Sequence, residues 1–276
     1  MLILAATPIG NLSDASPRLL EHLKSSKFIA AEDTRSLLKL ANSLGVKLNA
    51  RLFSLHEHNE GERISQLLEI AAEEDVLVVS DAGMPTVSDP GFLLVRAAVD
   101  AGLEVTVIPG PSAVLSALAV SGLPTDRFTF EGFLPRKSGD RKKSFEGLLR
   151  EPRTMVFFES PHRIHESLKD AASVFGDDRL ATVSRELTKK FEHTERGKLA
   201  DLVAWAESEP RGEMVLVIAG APSLEIKTEN LVEQVLALTD EGTGLKVAVA
   251  EIAQAAGASK SELYQLVLEH RKAAKA

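Results

Sequence analysis

Short apolar runs alternate with longer amphipathic stretches from the first residues to about residue 220, where the alternation stops. The runs at 3–7, 28–31, 76–80 and 105–108 are continuous and apolar, the pattern of strands buried on both faces. Between them, residues 17–24, 35–44, 64–73 and 92–101 repeat apolar positions every three or four residues, which predicts crossover helices. Strands alternating with helices in this way predict a doubly wound parallel sheet. Ser16 followed by Pro17 supplies a helix start, and Gly45 and Gly102 fall where helices should stop.

A second rhythm follows residues 112–118 and the SGLP turn at 121–124. Strands are expected at 128–133, 154–159, 180–185 and 214–219, with helices near 144–149, 163–175 and 199–206. This predicts a second α/β domain. After residue 220 the polar stretch APSLEIKTEN reads as a linker, and only helices follow. Residues 248–256 and 260–268, about a turn at Gly257–Ser259, have the spacing of a helix-turn-helix, as a packing module or a nucleic-acid-contacting one. The expected plan is an α/β domain over 1–120, a second over 121–221, and a helical module over 222–276.

The totals narrow the function classes. With 276 residues, 44% hydrophobic and 26% charged, the chain is an ordinary globular protein of about two domains. No run reaches the ~18 apolar residues of a membrane span, and the LILAA start reads as a buried strand without the basic flank of a signal peptide. The absence of cysteine removes disulfides, thiolate metal sites and cysteine nucleophiles, and makes a cytoplasmic location the default. Of seven histidines only His56 and His58 are close, at a spacing that suits no metal motif, so no metal is expected. The net charge of −8 argues against a uniformly basic nucleic-acid binder but leaves room for local basic patches.

Two loops carry the strongest local signal: VVSDAGMPTVSDPG at 78–91 and VIPGPSAV at 107–114. Each follows a β-branched run and offers Gly, Pro, Ser or Asp where a parallel strand leaves its sheet. Glycine there admits close backbone approach and proline fixes the loop, so the pair reads as two walls of a small-molecule cleft.

These loops belong to a longer series: AATPIGNL at 5–12, AEDTR at 31–35, IPGPSA at 108–113, GFLPR at 132–136, ESPHR at 159–163, SRELTK at 184–189 and GEMVLVIAG at 212–220. In this order they resemble the small-subunit ribosomal RNA methyltransferases of the tetrapyrrole methylase superfamily. The resemblance spans residues 1–220. It implies two α/β domains with S-adenosylmethionine in the cleft between them, a homodimer, and transfer of methyl to the 2′-hydroxyl of a cytidine in 16S ribosomal RNA. It also implies a donor site made by Gly83, Met84 and Val87, by Ser112 and Ala113, and by Pro8, Phe158, Leu187 and Met214 at strand ends. By their own character Phe158, Leu187 and Met214 fit a plain core equally well. Met84 stands where tetrapyrrole enzymes carry aspartate, which separates this chain from them.

A ribose hydroxyl is a poor nucleophile until a base accepts its proton. Candidates at strand ends are Asp81, ranked first because it directly follows the strand that leads into the donor loop, then Glu32 of the Glu32–Asp33 pair, Glu159 and Glu186. Asp81 could instead hold its own loop, and Asp33 could cap the next helix. Arg35 and Arg163 suit phosphate or ion pairing, and His162 suits either a proton shuttle or a surface cap. The stretch RKSGDRKK at 136–143, read as a loop, offers Arg136, Lys137, Arg141, Lys142 and Lys143 as the main RNA-facing patch, which Lys189, Lys190 and Arg196 would extend. SLHEHN at 54–59 could hydrogen-bond a flipped nucleotide. The competing readings are a porphyrinoid C-methyltransferase and a ligand-sensing nucleic-acid-binding regulator.

Overall fold

The computed structural model describes residues 1–56, 60–208, 211–222, 228–256 and 258–273. The first sheet holds β1 (Leu2–Ala5), β2 (Phe28–Ala31), β3 (Arg51–Ser54), β4 (Val76–Val79) and β5 (Val105–Ile108) in the order β3-β2-β4-β1-β5, all parallel. The helices are α1 (Pro17–Ser25), α2 (Thr34–Ser43), α3 (Glu60–Glu73) and α4 (Phe92–Asp100). Alternate side chains of each strand go to opposite faces, and both faces are covered. Ile3, Ala5, Ile29, Leu77 and Val79 pack on α1 and α2 through Leu19, Leu23 and Leu37. Leu2, Ala30, Val76 and Val78 pack on α3 and α4 through Leu67, Ala71 and Leu94. The cap signals act as read: the Ser16 hydroxyl accepts from the Leu19 amide, and Gly45 and Gly102 take positive φ just after their helices.

Strand β3 is absent from the sequence reading. Its segment, RLFS, has two apolar residues and no flanking turn signature, and it becomes a strand because the edge of β2 offers a ladder to pair with.

After β5 the chain enters α5 (Ala113–Ser121), which packs on the second sheet through Val114, Ala117 and Leu118. The expected boundary near residue 120 therefore lies at the end of a helix already packed on the second sheet. That sheet holds β6 (Phe128–Phe133), β7 (Thr154–Glu159), β8 (Leu180–Arg185), β9 (His193–Lys198) and β10 (Met214–Ile218) in the order β6-β7-β10-β8-β9. It is mixed: β6 and β7 are parallel, and β7, β10, β8 and β9 alternate in direction. Helices α6 (Ser138–Gly147), α7 (Ile164–Phe175) and α8 (Leu199–Ala206) cover the face opposite α5, where Phe145, Phe157, Leu168 and Leu202 share one core. Strand β9, HTERGK, has no apolar residue and escapes any hydrophobic pattern; as an edge strand it needs only backbone pairing with β8.

Residues 138–143 are helical, which corrects the expected loop at 136–143. Ser-Gly-Asp reads as a breaker, but Arg141 and Phe145, one turn apart, are both buried on the side facing α7, and that packing overrides propensity.

Residues 1–221 form one compact unit and residues 222–276 another. In the second, α9 (Thr228–Asp240), α10 (Leu245–Ala256) and α11 (Lys260–Ala273) enclose a small core of Leu231, Val235, Val249, Leu263 and Val267, and Arg271 donates to the Thr239 hydroxyl at 2.7 Å. Gly257, assigned to the turn between the last two helices, lies outside the described residues. Among the described residues no helix is long and apolar enough to cross a membrane.

Candidate active site

The loop after β4 is built as a rigid frame. Thr7 and Gly83 form a two-way antiparallel bridge, with N–H to O distances of 2.9 and 3.1 Å, and the Thr7 hydroxyl donates to the Ser80 carbonyl at 3.3 Å. Gly83 turns the chain at φ +80°, a conformation that disfavours any side chain. Farther along, Thr86 and Ser88 are held at φ 74° and 64°. The loop ends at α4, where the buried Glu60 carboxylate accepts the amides of Gly91 and Leu94 at 3.1 Å each. Across the cleft, Glu186 and Thr188 also have positive φ, and the Thr188 hydroxyl accepts from the Asn11 amide at 3.0 Å. Among the described residues these four are the only non-glycines in that region, and all lie on loops beside one cavity. Strain of this kind persists where surrounding structure fixes it, and it clusters at functional sites.

The cavity measures about 310 Å³, within the range of small-ligand pockets. One wall comes from the ends of the parallel strands: Ile9, Glu32, Asp81 to Met84, Val87, Asp89, and Ser112 to Val114 at the start of α5. The other comes from the mixed sheet: Phe133, Phe158, Glu159, Leu187 and Glu213 to Val215. The antiparallel register sets Met214, at the start of β10, opposite Glu159 and Arg185, at the ends of β7 and β8. Phe158 is wedged between Phe130 and Phe133, with ring centroids 4.9 and 5.3 Å away.

Three carboxylates converge at the first wall. Asp81 accepts from the Asp33 amide at 3.2 Å, and its own amide donates to Glu32 at 3.4 Å. Burial raises the Glu32 pKa against the pull of the Asp81 amide, and the Asp81 and Asp33 charges raise it further. Burial, followed by the negative charge of Glu32, pushes Asp89 up to about 6, although the Ser80 hydroxyl bonds to it. Asp33 itself faces away as the cap of α2: it accepts the Arg35 amide at 2.8 Å, and its bonds to the Arg35 guanidinium hold it down at about 2.

Glu159 is organised differently. Its buried carboxylate accepts from the Ser160 amide at 2.7 Å and the Ser167 hydroxyl at 2.6 Å, and it is ion-paired with Arg163. With these three partners the carboxylate holds the end of β7 to α7.

The same arrangement of loops and sheets can be compared with known proteins. The family model for tetrapyrrole (corrin/porphyrin) methylases matches residues 1–203, which hold the parallel sheet, every strand of the mixed sheet except β10, and all of the cavity wall except residues 213–215. The chain belongs to the tetrapyrrole methylase family. A second model, the RsmI C-terminal HTH domain, matches residues 227–271. A protein of Mycobacterium tuberculosis (strain CDC 1551 / Oshkosh) named ribosomal RNA small subunit methyltransferase I is 46% identical over 274 residues, covering 98% of this chain and 95% of that protein. The protein of the same name from Escherichia coli O157:H7 is 42% identical with the same coverage. Among solved structures, the methyltransferase CobJ matches with a TM-score of 0.59 at 21% identity, covering 80% of this chain and 94% of that one. The uroporphyrin-III C-methyltransferase of Thermus thermophilus complexed with S-adenyl homocysteine matches at 0.54 and 19%, covering 79% and 96%. These two likenesses show the fold that the methylase family shares.

Within this methylase fold, the structure brings Gly83, Met84, Val87, Ser112, Ala113, Phe158, Leu187 and Met214 to the cavity, together with Asp81, Glu32 and Glu159. Pro8 is not among the lining residues; its neighbours Thr7 and Ile9 make the bridge and the wall. The cations divide. Arg136, Lys137 and Lys143 are exposed, Lys142 is half-exposed and 3.6 Å from Asp170, and Arg35 is exposed in a pair with Asp33. Arg141 is a correction: it lies buried against Asp170, which also accepts from Ser138 at 2.9 Å, so its charge is neutralised inside the protein. Arg163 is largely inward, on Glu159, the Leu134 carbonyl and the Ser160 hydroxyl. Lys189 is bound between Glu186 and Glu213, so its charge is neutralised; Arg196 is exposed, with its guanidinium on the Val120 and Thr194 carbonyls. Of SLHEHN, residues 57–59 lie outside the described residues. Sequence reasoning missed Asp89, whose SDPG context reads as a turn former, and Phe133, which reads as strand core.

Proposed function

We propose that the protein transfers a methyl group from S-adenosylmethionine to the 2′-hydroxyl of a cytidine in 16S ribosomal RNA. The observation that carries this reading is one cavity that joins a small-residue, backbone-rich cradle, an apolar slot and a carboxylate group at its rim. The fit to the donor follows from that chemistry. Amides at the start of α5 suit a carboxylate, Phe158, Leu187 and Met214 suit a flat purine, and the acidic wall suits a cation. Gly83, Met84, Val87, Ser112 and Ala113 would hold the remainder. When bound, S-adenosylmethionine supplies an electrophilic methyl group on a positively charged sulfonium.

Asp81, exposed at the rim and steadied by the Asp33 amide, is the group that accepts the hydroxyl proton, with Glu32 and Asp89 behind it sustaining the negative field. The names of the relatives, at over 40% identity across nearly the whole chain, support small-subunit ribosomal RNA as the acceptor. The reading includes a cytoplasmic homodimer. Exposed Val107 on the edge strand β5 and exposed Leu115 on α5 are consistent with a covered face, and sedimentation of the purified chain measures it.

The test incubates the protein with methyl-labelled S-adenosylmethionine and small ribosomal subunits, naked 16S RNA or a precorrin. Label is expected in RNA, on a cytidine ribose after nuclease digestion. Label in the precorrin, with none in either RNA preparation, overturns the proposal.

A further inference from the structure

Phe133 borders three hollows, one of them toward α6 and lined also by Glu131 and Phe157. The other two are the cavity described above and a cleft of about 470 Å³ lined by Phe133, Leu134, Arg136, Ser160, His162 and Arg163. The ring is 61% exposed, and its position depends on an irregularity in β6. Pairing with β7 runs regularly to Phe130 opposite Val156, breaks, and resumes with Phe133 opposite Phe158, so three steps on β6 match two on β7. Gly132, at φ +71°, absorbs the extra residue. In an unbroken strand, residues 130 and 133 would point to opposite faces; the bulge puts both rings against Phe158 and aims Phe133 at the rim.

The charge around this ring is opposite to that of the cavity. The cavity carries Glu32, Asp81 and Asp89, whereas the cleft carries Arg136 and His162, whose side chains have no hydrogen-bond or ion-pair partner among the described residues. Arg163, on the cleft floor, is fixed by Glu159, Ser160 and the Leu134 carbonyl. An exposed aromatic face that also lines the cavity, beside the unpaired Arg136 guanidinium and the His162 imidazole, matches an unstacked nucleotide: a π-face for the base, and a positive charge and a ring N–H for the phosphate.

We infer that this cleft receives the nucleotide adjacent to the methylated one, its base stacked on Phe133 and its phosphate held by Arg136 and His162. The inference rests on the ribosomal RNA reading and adds to it a positioning subsite. Phe133 orients the strand so that the neighbouring ribose enters the cavity beside Asp81.

The test is steady-state methylation of small ribosomal subunits, with affinity for S-adenosylhomocysteine measured separately by calorimetry. Phe133→Ala is expected to raise the acceptor KM by roughly tenfold or more, a typical loss for one stacked base, and to lower S-adenosylhomocysteine affinity by less than that, because Phe133 also lines the cavity. Phe133→Trp is expected to restore the acceptor KM, since another flat ring can stack. Arg136→Ala is expected to raise KM and to lower the salt dependence of log KM by about one unit of slope. An unchanged KM in Phe133→Ala, while wild type methylates the subunits, overturns the cleft and leaves the ribosomal RNA reading standing. An equal loss of S-adenosylhomocysteine affinity makes Phe133 no more than a wall of the donor cavity and also overturns the subsite. If wild type methylates no ribosomal preparation, the ribosomal RNA reading falls and the subsite falls with it.

Discussion

The two sheets reach the same cavity by different geometry. In the parallel sheet every strand ends at one edge, so the loops after β1, β2, β4 and β5 converge there, bringing Ile9, Glu32, Asp81 and Ser112 together. In the mixed sheet, β7 and β8 end at the cavity while β10 begins there, and strand pairing replaces loops as the positioning device. The parallel side contributes three of the five carboxylates that line the cavity, and the mixed side contributes the two aromatic rings, Phe133 and Phe158; the strained backbone is shared, with Thr86 and Ser88 on one side and Glu186 and Thr188 on the other. Loop ends can carry polar groups because their backbone is not committed to a ladder, whereas paired strand positions present side chains from a fixed frame. The acidic wall is thus suited to proton handling and the apolar wall to holding a flat ligand.

This contrast can be broken from either side. The largest effect is expected from Asp81→Asn: turnover on ribosomal RNA should fall about 10²–10⁴-fold with S-adenosylhomocysteine affinity nearly unchanged, checked by single-turnover kinetics and calorimetry. Unchanged turnover would move the base elsewhere on the acidic wall. On the mixed-sheet side, Asp170→Ala strands the buried Arg141 guanidinium and should cost about 3 kcal/mol of stability, read from urea denaturation. A loss below about 0.5 kcal/mol, the error of the method, would mean that α6 is not held by this pair.

Two smaller changes sharpen the comparison. An ideal Cβ on Gly110 would sit 2.7 Å from the Ala6 Cβ, so Gly110→Ala must push the strand-end loops apart. It should weaken S-adenosylhomocysteine binding by roughly tenfold while stability falls by about 1–2 kcal/mol. Calorimetry showing wild-type affinity would dismiss the close approach as a requirement. The smallest effect concerns Asp89. Its pKa is raised by burial and by Glu32 to about 6, so its contribution to stability is complete below the ordinary carboxylate value and is lost as pH rises through about 6. Asp89→Asn is therefore expected to raise Tm by about 2 °C at pH 7.5, allowing for solvent screening of a half-exposed group, with the gain shrinking toward zero near pH 4. A gain that does not vary with pH would remove charge as its cause.

The sequence was most legible where one face or both of an element are buried. The strands at 28–31, 105–108, 128–133, 154–159 and 180–185 and the helix at 199–206 have the bounds that their apolar patterning implies. It was least legible at β3 and β9, where an available edge supplied the reason for a strand, and at α6, where Asp170 on α7 gave Arg141 a buried partner. The carboxylates showed the same division. Asp81 and Glu32 were readable from their positions after apolar runs, but the Glu159 carboxylate is tied to Ser160, Ser167 and Arg163, and Asp89 gains its raised pKa only from enclosure beside Glu32.

By itself the sequence determined the alternation of strands and helices, the glycine and proline loops at strand ends, and the family likeness, because these depend on periodicity and local backbone preference. Only the tertiary structure decided which charges are free and which are neutralised, and that a single bulge at Gly132 turns Phe133 out to the rim. Pairing, burial and register join residues far apart along the chain, and no local pattern encodes which partner each will meet.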